Sequence, residues 1–219
     1  MSLALFDLDN TLLAGDSDLE WGRFLVDLGV VDPQVYQHKN QAFFEQYQNG
    51  TLDIHEFCRF SFAPLAAHPL ETLQAWRARF IDERILPMLA PRARDLLQHH
   101  RIRGDTLLII TATNRFVTEP IARLLEVEHL LATEPELRDG AYTGELAGIP
   151  CFQHGKVERL EQWLAAHPDL DLEDSWFYSD SHNDLPLLEQ VARPVAVDPD
   201  ETLESAARAR GWPRITLRN

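Results

Sequence analysis

Cysteine is nearly absent from this chain: there are two in 219 residues, Cys58 and Cys151. They lie far apart and in no metal-ligand spacing. That excludes a disulfide framework or a zinc module and points to reduced thiols in a cytoplasmic protein. Basic charge is scarce too. Lys and Arg number 20 against 35 Asp and Glu, for a formal net charge of −15. A nucleic-acid binder needs a basic field and an anionic membrane surface attracts one, so neither is expected as a partner. If the substrate is itself an anion, its site must be locally positive against that field, through a metal, a lysine or helix N-termini. Long apolar runs are missing as well, and no stretch approaches the roughly 20 residues that span a bilayer. The first apolar run has no basic region ahead of it and is too short for a secretory signal, which again leads to a cytoplasmic expectation. No internal repeat or low-complexity tract is visible.

What is present is alternation. Leu3 to Phe6 reads as a buried strand, and from Asp16 to Leu86 the apolar positions recur at three and four rather than two. Asp18 is a candidate N-cap for a first helix carrying Trp21, Phe24, Leu25 and Leu28. Asp32-Pro33 opens a second helix that Gly50 ends, and Asp53 to Phe62 and Pro69 to Leu86 are two more. Strand and helix then alternate. Pro91 to His100 is helical and Thr106 to Ile110 is a buried strand. Arg115 to Leu125 is helical, Leu130 to Thr133 is a strand and Asp139-Gly140 is a hairpin turn. Lys156 to Ala166 is a helix, Trp176 to Tyr178 a strand, and another helix begins near Pro186. Pro194 to Val197 is a strand and Glu201 to Arg210 a helix stopped by Gly211. The expected fold class is α/β, a Rossmann-like, mostly parallel sheet covered on both faces. Residues 1–15 and 87–219 would form this core domain, with 16–86 an inserted all-helical domain.

Ligands bind beyond the carboxyl ends of strands in such sheets. The first strand ends in Asp7 and Asp9, the second in Thr111, Ala112, Thr113 and Asn114, and the third in Asp180, His182, Asn183 and Asp184. Lys156 stands at a helix start between the last two. Burying charge costs several kcal/mol unless it is paired or bound to metal, so two carboxylates two positions apart on a buried strand need a reason. Carboxylates from two strands, a hydroxyl and a lysine make one cluster. Carboxylates with open positions suit a hard cation such as Mg²⁺, which takes waters and phosphate oxygens.

The order DLDNT, a Thr after a buried strand, a Lys, then SDSHND resembles the haloacid dehalogenase superfamily of phosphohydrolases, with four motifs spanning Asp7 to Asp184. The helical insertion is similar to that family's C1-type cap. The Asn183-Asp184 pair resembles the subfamily that includes phosphoserine phosphatase and related histidinol-phosphate phosphatases. The resemblance implies a Mg²⁺-dependent phosphomonoester hydrolase working through an aspartyl-phosphate. Asp7 would be the nucleophile, Asp9 the general acid and base, Thr111 the hydroxyl on the transferring group and Lys156 its counter-charge. Asp7, the Asp9 carbonyl and Asp180 would hold Mg²⁺, and Ala112, Asn183 and Asp184 would surround the phosphate. The sequence departs from the family pattern at Ser179 and Ser181, where many relatives have glycine. It also departs at His182, read here as a surface residue, and at the Thr111-Ala112-Thr113 turn.

The chemistry of these residue types agrees with those roles. Like-charge repulsion between a carboxylate and a phosphate dianion is relieved by Mg²⁺ and Lys⁺, and an alkoxide leaving group needs a protonated acid close by. Residues i and i+2 of a strand share a face, so Asp7 and Asp9 can serve one phosphate. A receiver domain lacks the acidic cluster after the lysine, and a dehalogenase has no use for Asp9. A phosphotransferase or mutase of the same superfamily is the alternative. The expected partner is a small phosphorylated metabolite acted on by a monomer or homodimer. The segment 16–86 carries eleven acidic and six basic residues, and Asp16, Asp18 and Glu20 follow directly on the first motif. This pattern points to a phosphomonoester with a positive group, such as phosphoserine or histidinol phosphate. Asp16 would meet the positive group and Arg59 a carboxylate.

Overall fold

The computed structural model describes residues 2–219. Seven strands form one sheet in the order β4-β3-β2-β1-β5-β6-β7. They are β1 (Leu3–Phe6), β2 (Thr106–Asn114), β3 (His129–Arg138), β4 (Ala141–Ala147), β5 (Trp176–Ser179), β6 (Arg193–Val197) and β7 (Arg214–Ile215). All neighbours pair in parallel except β3 and β4, which form an antiparallel hairpin across Asp139-Gly140. Both turn residues have positive φ, 50° and 81°, the geometry that favours Asp-Gly.

Strand β1 lies at the centre of the sheet and is wholly buried. Its side chains alternate, so Ala4 and Phe6 enter one apolar layer while Leu3 and Leu5 enter the other. Phe6 stacks on Tyr178 of β5 at 5.2 Å. Burial on both faces is why β1 and the start of β2 read as continuous apolar runs. Strand β4 (AYTGELA) escaped the sequence because it is mostly half-exposed, polar and interrupted by Gly144.

Between β1 and β2 stand α1 (Ser17–Asp27), α2 (Pro33–Gln48), α3 (Ile54–Ala66) and α4 (Leu70–Phe80). A wide helical turn, Ile81–Ile85, leads from α4 into the short α5 (Leu86–Met88), so the expected helix to Leu86 is helical throughout, with one widened turn in its last third. The expected cap of α1 moves by two residues. Asp16, not Asp18, accepts from the Asp18 and Leu19 N–H groups, which frees the Asp18 side chain for tertiary contacts. Helix α3 runs past Phe62 to Ala66 with Pro64 inside it. Apolar faces of α1 and α4 pack against α7 (Arg115–Leu124): Trp21 meets Phe80 and Phe116 edge-on at 5.2 and 5.7 Å.

The chain leaves and re-enters this helical segment through adjacent backbone. Leu13 and Leu89 form an antiparallel bridge, Ala14 N–H donates to the Met88 carbonyl, and Ala90 N–H donates to the Leu12 carbonyl. The remaining helices are α6 (Ala93–Arg103), α8 (His154–Ala165), α9 (Leu185–Leu188) and α10 (Glu201–Arg210). Both cysteines are free and buried, with their thiols pushed up to about 12 by desolvation. Among the described residues no helix is long and apolar enough to cross a membrane.

Candidate active site

Asp7 follows the last residue of β1. Its N–H donates to the Tyr178 carbonyl at 2.9 Å, which fixes its backbone to β5. The chain then turns irregularly over Leu8–Leu12 with Asn10 at φ 56°. This turn lets Leu8 drop into the core while Asp7 and Asp9 stay on the open edge of the sheet.

The two carboxylates have different surroundings. Asp7 Oδ1 accepts from Lys156 Nζ at 2.7 Å, and Lys156 also lies 2.7 Å from Asp184 Oδ1 and 2.8 Å from its Oδ2. Asp9 has no cation partner among the described residues. Its Oδ1 accepts from the Ser17 N–H at the start of α1 (2.6 Å), and its Oδ2 accepts from the Thr113 and Thr111 hydroxyls at 2.8 and 3.3 Å. Burial, with the Asp16 charge added, raises the Asp9 carboxyl to about 6 against the opposing Ser17 and Thr113 bonds. Burial raises Asp7 to about 7 despite the Lys156 ammonium, because Asp184 and Asp9 add like charge. Burial works to lower the Lys156 pKa, but Asp184 and Asp7 outweigh it and hold the ammonium charged.

Asp180, just past β5, reaches the same place. Thr11 Oγ1 lies 3.4 Å from Asp7 Oδ2 and 3.2 Å from Asp180 Oδ1, bracketed by both carboxylates. Burial raises Asp180 well above the usual carboxylate range, and the charges of Asp7 and Asp184 add to it. Four carboxylates, Asp7, Asp9, Asp180 and Asp184, thus converge with one ammonium among them. Among the described residues no group of three or more His, Cys, Asp or Glu side chains is arranged to hold a metal ion. Asp7 and Asp180 present carboxylate oxygens on either side of Thr11 Oγ1, a donor type that suits a hard cation rather than zinc.

Comparison with known proteins identifies the family. The pattern of the haloacid dehalogenase-like hydrolases matches residues 4–189. The chain belongs to that family. It is a phosphatase-type hydrolase, and several relatives are named as phosphatases. It is 42% identical over 220 residues to a histidinol-phosphatase of Neisseria meningitidis serogroup C, covering 99% of both chains. It is 34% identical to phosphoserine phosphatase SerB1 of Mycobacterium tuberculosis, covering 95% of this chain and 68% of that one. Among solved structures, a Bordetella pertussis Tohama I protein of unknown function superposes with a TM-score of 0.92 at 47% identity, covering 99% of this chain and 98% of that one. A phosphoserine phosphatase solved as a phospho-aspartyl intermediate analogue shares the fold, with a TM-score of 0.71 at 19% identity and coverage of 100% and 93%.

Within this family frame, most of the sequence-derived residues meet. Asp7, Lys156, Asp180 and Asp184 share one hydrogen-bonded network through Thr11, and Asp9 with Thr111 and Thr113 forms a second beside it, near enough for the Asp9 charge to act on Asp7. Ala112 sits half-buried between Thr111 and Thr113. Asn183 is buried one step out, accepting from Gln153 Nε2 at 2.8 Å and donating to the Tyr47 carbonyl at 3.3 Å. Asp16 caps α1, with its charge close to Asp18 and Asp7. Arg59 is exposed on α3 with Asp53 as its charged neighbour, and no hydrogen bond or ion pair among the described residues joins it to the cluster. His182 is only partly exposed. Its Nδ1 lies 2.8 Å from Asp200 Oδ2, an oxygen that also accepts the His182 N–H.

The sequence did not single out several residues that shape the site. Thr113 makes the shorter of the two hydroxyl bonds to Asp9, and Ser17 supplies its backbone donor. Ser179 donates to Asp184 Oδ2 at 2.7 Å. Ser179 and Ser181 are hydrogen-bonding parts of the loop. Tyr47 of α2 reaches this loop at Ser181. Only Thr113 and the two serines carried a signal, as small polar residues beside the motifs.

Proposed function

We propose that the protein hydrolyses a small phosphomonoester through a phosphorylated Asp7. The observation that carries the reading is the split between Asp7, paired with Lys156 at 2.7 Å, and Asp9, held only by neutral donors. Two carboxyl groups in unlike surroundings can divide the roles of nucleophile and acid. Residues 16–86 serve as the cap over this site and 1–15 with 87–219 as the core.

Asp7 Oδ attacks phosphorus in line with the leaving oxygen, and the bond from phosphorus to that oxygen breaks. Asp9, protonated, gives its proton to the departing alkoxide. It then takes a proton from the water that attacks the phosphoryl group on Asp7, so inorganic phosphate leaves and both carboxyl groups return to their starting states. Lys156 and the Thr111 hydroxyl stabilise the phosphoryl oxygens, and Asp184 and Ser179 hold Lys156 in place.

Asp7, Asp180 and the Asp9 carbonyl would hold Mg²⁺, which when bound neutralises the phosphoryl oxygens. Without a cation Asp7 stands at about 7, above Asp9 at about 6. Positive charge beside Asp7 favours its ionised form, the form a nucleophile needs. The fit therefore rests on the charge balance as well as on the oxygen donors.

The substrate is a phosphomonoester with a positive group. The acids Asp16 and Asp18 next to the site support this, as do relatives named histidinol-phosphatase and phosphoserine phosphatase, whereas Glu20 is paired with Arg23 and Arg84. The test is release of inorganic phosphate, with Mg²⁺, from a panel of amino, sugar and nucleoside monoesters. Phosphate released to water supports the hydrolase. Phosphate recovered only on an added alcohol would make the protein a phosphotransferase.

A further inference from the structure

The turn at the end of β2 holds a hydroxyl that the mechanism leaves unused. Thr111 is placed on the phosphoryl group, but Thr113, two positions on, makes the shorter bond to Asp9. Resting on the phosphatase reading, we propose that Thr113 is the positioning residue of the acid and base: its hydroxyl makes Oδ2 the Asp9 oxygen that carries the working proton and holds that oxygen toward the leaving group.

The local backbone explains how two hydroxyls reach one carboxylate. Strand β2 pairs with β3 up to Ile110 beside Leu131 and again at Asn114 beside Thr133, and the register shifts in between. Residues 111–113 therefore lie outside the regular ladder, the kind of irregularity that re-aims side chains next to a site. Thr111 and Thr113 are buried and Ala112 between them is half-buried, so the two hydroxyls share a face. Both reach Asp9 Oδ2, at 3.3 and 2.8 Å, and the Thr113 N–H donates to Thr111 Oγ1 at 3.2 Å. Branching at Cβ restricts the Thr113 side chain to few rotamers, so its hydroxyl stays where the turn puts it.

The two oxygens of Asp9 are not equivalent. Oδ1 faces α1 and accepts from the Ser17 N–H at 2.6 Å. A backbone N–H can only donate, and it bonds best to an unprotonated oxygen, so Oδ1 stays an acceptor throughout. Oδ2 lies on the Thr111 side, where the phosphoryl group is placed, and meets only hydroxyls. A hydroxyl donates to a carboxylate and accepts from an acid. Thr111 Oγ1 already accepts the Thr113 N–H and turns to the phosphoryl oxygens when substrate is present. Thr113 Oγ1 has Asp9 as its one hydrogen-bond partner among the described residues, which leaves it free to reverse.

The reaction then runs through one oxygen. As the bond from phosphorus to the leaving oxygen breaks, its electron pair stays on that oxygen, which takes up the Oδ2 proton. Thr113 turns to donate to the new carboxylate. When water attacks the phosphoryl group on Asp7, a proton of that water goes to Oδ2 and Thr113 turns back to accept from the acid. Without the Thr113 hydroxyl, Asp9 is held by Ser17 and the longer Thr111 bond alone.

The test separates leaving groups that need a proton from one that does not. Histidinol phosphate and phosphoserine release alkoxides, whereas p-nitrophenolate departs unprotonated, and kcat/KM covers the steps up to that departure. Thr113→Val keeps the branched shape and removes the hydroxyl. It should lower kcat/KM for the better of the two alkyl esters by at least about thirtyfold and for p-nitrophenyl phosphate by no more than about threefold. Thr113→Ala should show the same split. Thr113→Ser, which restores the hydroxyl, should bring the alkyl ester back to within about fivefold of wild type. Beryllofluoride binding at Asp7 needs no proton and should be the same in all four proteins. Equal losses on both ester classes, a Ser variant no better than Val, or loss of beryllofluoride binding in Val and Ala would give Thr113 a merely structural role and overturn the proposal. Those outcomes on an active wild type leave the phosphatase reading standing. A wild type that releases phosphate from no ester sinks that reading and the proposal with it.

Discussion

Tyr47 donates its hydroxyl hydrogen to Ser181 Oγ at 2.9 Å, across 134 positions of sequence. The same oxygen accepts the Asn183 N–H, and the Tyr47 carbonyl accepts from Asn183 Nδ2. Helix α2 is thereby fastened to the loop that carries Asp180 and Asp184. A net hydrogen bond of this kind contributes about 1 kcal/mol. Tyr47→Phe should lower kcat roughly threefold to tenfold with little change in KM, because the loop loses its orientation and not its substrate contacts. Ser181→Ala deletes the same bond and also the acceptor of the Asn183 N–H, so the double variant should lose no more than Ser181→Ala alone. Fully additive losses in steady-state kinetics would show that the two residues act separately.

The nucleophile is the most direct target. Asp7→Asn should remove turnover by at least about a thousandfold, given what loss of covalent catalysis costs. Lys156 retains Asp184 at 2.7 Å, so the fold should survive. Beryllofluoride, which mimics a phosphoryl group on a carboxylate, should bind wild type and not the variant. Retained activity, or equal beryllofluoride binding by both, would move the nucleophile elsewhere.

Metal dependence can be read without turnover. A ligand that binds only the folded state stabilises it by mass action, about 2.7 kcal/mol at a hundredfold excess over Kd. Mg²⁺ should therefore raise the melting temperature of wild type by about 5 °C and that of Asp180→Asn by far less. A chelator should stop phosphate release from wild type, and Ca²⁺, which prefers more ligands, should restore the thermal shift but not the rate. Equal shifts in the two proteins would remove Asp180 from the ligand set.

Asp18 should tie stability to pH. Burial raises its carboxyl from 3.8 to about 6, with Asp9 adding to the rise and the Ser61 and Asn114 bonds opposing it. A raised folded-state pKa means the folded protein holds the proton more tightly than the unfolded chain. That contribution is complete below the unfolded value and is lost as pH climbs through about 6. Asp18→Asn escapes the loss. It should be more stable than wild type at pH 8 by about 1 kcal/mol, a figure reduced for partial solvent contact, with the gap closing toward pH 4. Denaturant titrations at both values check this, and a constant or reversed gap would contradict it.

Much of the site was legible because the catalytic residues sit where chain direction changes. DLDNT follows a fully buried strand, so its carboxylates stand out against the cost of burying them. What the sequence hides is pairing at a distance. Nothing local tells that Thr113 rather than Thr111 makes the shorter bond to Asp9, since both are small hydroxyls on one strand end. Nothing marks Tyr47, whose partner lies on another element. Asp16 and Asp18 are equivalent as cap candidates by composition, and only the path of the chain from Gly15 decides between them. Arg59 looked like a substrate contact from its charge, yet α3 turns it to solvent.

The bridge between Leu13 and Leu89 has a consequence for how such a protein can diverge. Strands β1 and β2 are register neighbours, Leu3 beside Thr106, although a long helical excursion separates them in sequence. The excursion starts and finishes at a stitched base, where Ala14 and Met88, and Ala90 and Leu12, share hydrogen bonds. Insertions, deletions and exchanges within the helices leave the two ends where they are, and loop-closure entropy changes only slowly with length. The helices are thus free to drift toward new leaving groups while the aspartates at the sheet edge keep their places.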